Sequence, residues 1–288
     1  MNNLEGKVAI ITGASSGIGL GIAKRLAARK CRIVAVGRNQ EALDEVAALS
    51  GGLAVAADVT DPETMVMVGQ RALAEFGKVD ILVNNAGAGP MARLEAMSRD
   101  DWKWLIDLNL WSVIHGIQAI LPILKANPEG GHIVNTSSIA GMFVGPGIGA
   151  YSTTKFGVVA ISETLRAELE QEGGRIGVSV FLPGPIRSNI HLGSRNRPQD
   201  TGGALKDVEL EKAEGFEGVQ IPWMEAEDAG EIAVEGILAN RLYIWTHPEG
   251  TQPIIARLRG IEASIAESAG AIATLPLRFH QQQSEKLS

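Results

Sequence analysis

The chain has 288 residues, 45% of them hydrophobic, and a formal net charge of −7. That is enough apolar material for one large α/β domain or two small ones. The acidic balance disfavours a protein that lives on nucleic-acid phosphates or anionic lipid, since either needs a surplus of Lys and Arg. One cysteine, Cys31, excludes an internal disulfide and fits a reducing compartment; opening an apolar run, it reads as a buried, inert thiol. No apolar run approaches the ~20 residues of a membrane span. Residues 1–6 lack the basic-then-apolar order of a signal peptide, so a cytoplasmic protein is expected.

In chain order, short apolar runs at 7–12, 32–36, 53–57, 79–83, 132–136, 177–182 and 242–246 read as strands. They are mostly continuous rather than alternating, as parallel strands covered on both faces should be. Helix-period segments fill the gaps. One starts at Asp61-Pro62-Glu63, with Asp as cap and Pro in the first turn. A second starts at Ser98-Arg99-Asp100-Asp101, a variant of the capping box, and is expected to run to about Leu124. A third begins near Ala150 and carries Tyr151 and Lys155. Alternating β and α predicts an α/β, doubly wound parallel sheet with right-handed crossovers. There is no internal repeat and no linker that marks a second domain. Residues 1–246 read as one dinucleotide-binding and catalytic domain. Within it, the polar, Gly-rich stretch 189–222 is expected to form a substrate lid. Residues 247–288 read as a C-terminal extension of the same domain, with about the last eight disordered.

The first strand runs into Thr12-Gly13-Ala14-Ser15-Ser16-Gly17-Ile18-Gly19, and a good helix follows. Glycines let the turn tighten and let a phosphate approach the backbone, where the helix N-terminus offers N–H groups and partial positive charge. A pyrophosphate site is one reading and a plain strand–turn–helix the other. Gly13-Ala14-Ser15-Ser16-Gly17 also matches a hydrolase elbow with Ser15 as nucleophile, although such elbows normally follow a central strand. At the end of the second strand stands Gly37-Arg38-Asn39. A carboxylate for the ribose 2′-hydroxyl is missing, and Arg38 suits a 2′-phosphate, which favours NADP over NAD.

Tyr151 and Lys155 are spaced i, i+4 and share a helix face. A phenol's ordinary pKa of about 10 is too high for a base at neutral pH, and a neighbouring ammonium is expected to lower it. Ser138 follows the fifth strand, at the carboxyl edge where open α/β sheets bind ligands. Asn109 falls mid-helix, where a polar side chain needs a reason. Asn84-Asn85-Ala86-Gly87 ends the fourth strand and Asp58-Val59 the third.

These residues, with Pro183-Gly184, stand in the order and approximate spacing of the short-chain dehydrogenase/reductase family, which the chain resembles over about residues 5 to 246. The resemblance implies a Rossmann-type sheet of seven strands in the order 3-2-1-4-5-6-7. It implies Asn109, Ser138, Tyr151 and Lys155 as the catalytic set, with Asn109 anchoring a water-mediated proton relay. It also implies a cofactor site of Gly13, Ser15, Ser16, Gly17, Ile18, Gly19, Arg38, Asp58, Val59, Asn85, Ala86, Gly87, Tyr151, Lys155, Pro183, Gly184, Ile186 and Ser188, where Ser188 replaces a common threonine. Ser138, Met142, Phe143 and Tyr151 are expected to touch substrate, and Met91, Val144, Trp223 and Met224 are further possible walls. The expected activity is hydride transfer between NADP(H), or else NAD(H), and an apolar or aromatic secondary alcohol or ketone, with no metal. The expected partners are that small molecule and further copies of the chain, in a homodimer or homotetramer. A dinucleotide-binding protein without turnover and a serine hydrolase remain as alternatives.

Overall fold

The computed structural model describes residues 3–197, 203–213, 218 and 220–273. Two compact units divide at Pro248, and each is described separately. The first holds seven strands, β1 (Val8–Thr12), β2 (Arg32–Gly37), β3 (Leu53–Ala56), β4 (Ile81–Asn84), β5 (Gly131–Thr136), β6 (Ile176–Leu182) and β7 (Tyr243–Trp245). All neighbours pair in parallel, in the order β3-β2-β1-β4-β5-β6-β7. The expected fold class and strand order are therefore the observed ones.

Among the described residues, seven α-helices cover this sheet: α1 (Gly17–Ala28), α2 (Gln40–Ala48), α3 (Pro62–Phe76), α4 (Arg99–Ile106), α5 (Ser112–Ala126), α6 (Gly149–Gln171) and α7 (Ala226–Leu238). The strand side chains alternate between two cores. Ala9 and Ile11 point to one face with Ile22 and Leu26 of α1 and Val234 of α7. Val8 and Ile10 point to the other with Val68 of α3, Ile120 of α5 and Leu165 of α6. Each large aliphatic chain buried this way contributes roughly 1.5–3 kcal/mol of transfer free energy. Cys31 is buried as expected, and burial pushes its thiol up to about 12.

The capping signals at Asp61 and Ser98 are realised. Asp61 accepts from Glu63 N–H, and Ser98 with Asp101 forms a complete capping box. The helix expected from Ser98 to Leu124 is not uniform, however. Between α4 and α5, Asp107–Trp111 forms a π-turn, and the Ser112 hydroxyl donates to Leu108 O at 2.5 Å. A π-turn admits one extra residue and occurs often at functional sites. The run Arg99–Ala126 also reaches a mean hydropathy of 1.2 over 18 residues, so it is long and apolar enough to cross a membrane. Leu105, Asn109, Ile120 and Leu124 of this run are nonetheless buried inside the protein.

The second unit's described part is one helix, α8 (Gln252–Ala273), with Leu258, Ile261, Ile265 and Ile272 exposed. The final eight residues, expected to be disordered, lie outside the described residues.

Candidate active site

β1 and β4 are adjacent although β2 and β3 come between them in sequence. Chains leave their carboxyl ends in opposite directions, which opens a crevice there. The turn from β1 into α1 forms one wall. Gly13 has φ +67° and Gly17 has φ +53°, a region that favours glycine. A Cβ on Gly19 would come 2.3 Å from Gly13 O, so the third glycine is required by the turn's own packing. Ser16, at the N-cap, makes no side-chain capping bond, which leaves the first N–H groups of α1 for a ligand. This uncapped, glycine-walled helix start fits the pyrophosphate of a nicotinamide dinucleotide. Ser15 Oγ lies against Gly37 at the end of β2, and Gly17 faces Ser188. Arg38 is exposed beside Gly37, followed by Asn39, whose side chain caps α2. Asp58 closes a turn by accepting from Thr60 N–H and Oγ1 at 3.0 and 2.8 Å, while Val59 is buried.

Thr12 joins the two crevice walls. Its Oγ1 accepts from Asn85 N–H at 2.9 Å and from Ala86 N–H at 3.0 Å, and its carbonyl accepts from Asn85 Nδ2 at 3.0 Å. Asn84 donates to Asn135 Oδ1 at 2.9 Å and ties β4 to β5. The Thr12 bridge was not assigned from sequence; its only signal was a hydroxyl at the last position of a buried strand.

Four side chains meet on the far side of the crevice. Ser138 follows β5; its hydroxyl accepts from Ala140 N–H at 3.1 Å and donates to Pro183 O at 3.4 Å, and it lies close enough to the Tyr151 phenol to oppose the rise in that group's pKa. Lys155 lies one turn along α6, with Nζ 5.7 Å from the Tyr151 ring centroid, and donates to Thr136 O at 2.9 Å. Asn109, fully buried in the π-turn, accepts from Ala88 N–H and donates to Ala88 O, both at 2.9 Å, and reaches Thr154 Oγ1 at 3.3 Å. A Cβ on Gly87 would stand 3.0 Å from Asn109 Oδ1 and 3.6 Å from Lys155 Nζ, so all three converge.

The electrostatics correct one expectation. Burial pushes the Tyr151 phenol up to about 12, against the opposing Ser138 hydrogen bond. Burial also brings Lys155 down to about 8. In the protein alone desolvation therefore outweighs the ammonium, and the phenol is raised rather than lowered.

The end of β6 supplies a third wall. Pro183 O accepts from Ile139 N–H at 3.0 Å, and Gly184 N–H donates to Thr246 Oγ1 at 2.9 Å. Ile186 is buried in the core, and its neighbours Pro185 and Arg187 bond to Met224. The backbone N–H and C=O of Ile186 itself therefore face away from Met224. Beyond it, Ile190 O accepts from Gly89 N–H at 3.1 Å, and Gly193 packs on Ala88. The segment after Ser188 therefore lies over the loop after β4. The expected lid, 189–222, includes residues 198–202, 214–217 and 219, which lie outside the described residues.

A cleft of about 790 Å³ opens where the loops after β4 and β5 meet residues 204–213; Met91, Phe143, Ile148 and Val208 are among its walls. Of the residues expected to touch substrate, Phe143 lines it, Ser138 and Tyr151 are not among its walls, and Met142 packs on the cluster of Val159, Val180 and Leu182. Val144 is 65% exposed, Met224 packs on the core, and Trp223 bonds Glu211. The hydrolase alternative lacks a partner: among the described residues no histidine hydrogen-bonds Ser15. His132 pairs with Ser179, His247 with Thr246 and Pro222 O, and His115 with Val59 O.

The short chain dehydrogenase family model matches residues 7–199. An uncharacterized oxidoreductase from Staphylococcus saprophyticus is 36% identical over 72% of this chain and 86% of its own length. A C alpha-dehydrogenase from Sphingobium sp. strain SYK-6 is 32% identical over 92% of this chain and 88% of its own. Among solved structures, a short chain dehydrogenase/reductase from Burkholderia phymatum in complex with NAD superposes with a TM-score of 0.83. It is 33% identical and covers 92% of this chain and 97% of that one. With the sheet order and the glycine turn already in place, these matches lead to one conclusion: the chain belongs to the short-chain dehydrogenase/reductase family and is an NAD(P)-dependent oxidoreductase.

Proposed function

We propose that the protein interconverts a secondary alcohol and a ketone, with Tyr151 as general acid and base. The observation that carries this reading is the placement of the Ser138 hydroxyl near the Tyr151 phenol, with the Lys155 ammonium 5.7 Å from the Tyr151 ring. Two hydroxyls facing one another make a cradle for a single substrate oxygen. In reduction, Tyr151 gives its proton to that oxygen while Ser138 holds it by a hydrogen bond; in oxidation, Tyr151 takes the proton back. Lys155 stabilises the phenolate left behind, and Asn109 and Lys155 would hold the chain of groups that re-protonates it. A nicotinamide dinucleotide, when bound, supplies or accepts the hydride. Gly13, Ser15, Ser16, Gly17, Ile18 and Gly19 would hold its pyrophosphate side, Asp58 and Val59 its adenine, and Asn85, Ala86, Gly87 and Lys155 its nicotinamide ribose. Pro183, Gly184, Ile186 and Ser188 would border the nicotinamide.

NADP(H) is the favoured form, because Arg38 follows β2 and no acid stands there. The Burkholderia relative's NAD complex makes NAD(H) the reading to test against. The substrate is an apolar or aromatic alcohol or ketone, in keeping with Met91 and Phe143 in the cleft. The assembly is a homodimer or homotetramer through the faces of α5 and α6. Trp111, 47% exposed and stacked on His115, is a side chain such an interface would cover. Light scattering at several concentrations tests the assembly; a monomer throughout would refute it.

The functional test is a panel of alcohols and ketones with both dinucleotides, followed by reduced-nicotinamide absorbance. Turnover of a secondary alcohol or ketone supports the reading. Thermal stabilisation by a dinucleotide with no turnover on any carbonyl would instead make this a silent binding protein.

A further inference from the structure

Asp101 is a fully buried carboxylate with no part in the chemistry above. It begins as a local device, the third helical residue of α4, where it accepts from Ser98 N–H at 2.8 Å and completes the capping box. A capping-box acid normally stays at the surface and serves only its own helix. Here two other stretches of chain converge on it. The guanidinium of Arg197, itself 9% exposed, pairs with Oδ1, and Ala204 N–H donates to Oδ2 at 3.0 Å. Gly203 passes so close that a Cβ there would lie 2.1 Å from Oδ1. Burial alone would raise the Asp101 carboxyl, but the bonds from Ser98, Ala204 and Arg197 hold it below the usual range.

What Asp101 gathers is the cover of the cleft. Before Arg197, residues 190–193 lie on Ala88, Gly89 and Pro90. After Gly203, Leu205 is buried with Ala88, Trp104, Leu105 and Ala150, and Lys206 pairs with Met91 through two 2.9 Å backbone bonds. Ser194 N–H donates to Asp207 Oδ1 at 2.9 Å, joining the two stretches. Ala88 is also the residue that Asn109 grips, and Ala150 precedes Tyr151. One helical run thus carries both attachments, Asn109 to the floor loop and Asp101 to the cover.

We infer that the Asp101–Arg197 ion pair is a latch that fixes the cover over the substrate cleft, which makes Arg197 a positioning residue. That the latch serves substrate binding rests on the function proposed above; the latch itself does not. A buried ion pair contributes little net stability against apolar replacements, but it sets geometry where alternatives compete. The ion pair adds an ionic point to the Leu205 packing and the Lys206–Met91 backbone bonds that also hold this segment.

The test replaces Arg197, because Asp101 also closes the N-terminus of α4. In Arg197→Gln, amide hydrogen exchange of the full-length protein should quicken by about tenfold over 190–194 and 204–208, with the β5 amides unchanged. The KM for a ketone accepted by the enzyme should rise by about fivefold or more, with kcat changing less than about threefold, and Arg197→Lys should recover most of both effects. Unchanged exchange over 204–208, or an increase spread equally into the sheet, would overturn the latch. Faster exchange with an unchanged KM would overturn the positioning role. The exchange measurement needs no turnover, so failure of the proposed reaction and failure of the latch are read separately.

Discussion

Asn109 grips the backbone of Ala88 from both sides, accepting its N–H and donating to its C=O at 2.9 Å each. Ala88 is fully buried, so removing the amide leaves two backbone groups without partners. Each costs about 1–3 kcal/mol. Asn109→Ala is expected to lower the thermal midpoint by several degrees as well as the turnover rate. Calorimetry checks this; a variant slow in turnover but unchanged in midpoint would mean that the side chain acts in the proton relay alone.

Tyr151→Phe removes the proton donor and leaves the ring. Turnover should fall by roughly 10²–10⁴, the range ascribed to general acid–base catalysis. Dinucleotide affinity, measured by titration calorimetry, should change little. Near-normal turnover would defeat the assignment.

The two shifted groups fix the expected pH dependence. With the phenol pushed up to about 12, Tyr151 carries its proton throughout the neutral range, the form that carbonyl reduction needs. Reduction should therefore vary little between pH 6 and 8. Alcohol oxidation needs the deprotonated form and should rise with pH. The rise should flatten above about 8, where Lys155 loses its charge. Initial rates in both directions provide the measurement, and oxidation that falls from pH 6 to 8 would contradict the scheme.

Arg38→Asp replaces a group suited to phosphate with one suited to a ribose hydroxyl. The ratio of kcat/KM for NADP to that for NAD should fall by roughly 10- to 100-fold, the scale of one charge-assisted hydrogen bond. An unmoved ratio would place the selecting contact elsewhere.

Local chemistry made much of this molecule legible before any coordinates. Continuous apolar runs located the strands within two residues, and Asp61 and Ser98 marked their helix starts by capping preferences that act over one turn. That Tyr151 and Lys155 are neighbours was readable because an i, i+4 spacing acts within one turn of a helix, here α6. Contacts between distant residues were not readable. Thr12 meets Asn85 across 73 residues and Asp101 meets Arg197 across 96, and spacing holds no trace of either. The direction of the Tyr151 shift was misread for a related reason. An i, i+4 spacing shows that an ammonium is near, but not how much water has been taken from both groups. Burial decided the sign.

The π-turn at Asp107–Trp111 has a consequence for how this stretch tolerates change. One surplus residue advances everything after it by about 100° around the axis. Deleting any one of the five would restore a uniform screw and set the aliphatic stripe of α5 out of phase with the amide that α4 leads to. Substitution here costs one contact at a time, whereas a single-codon deletion would scramble a whole face, so length is the stricter constraint on this segment.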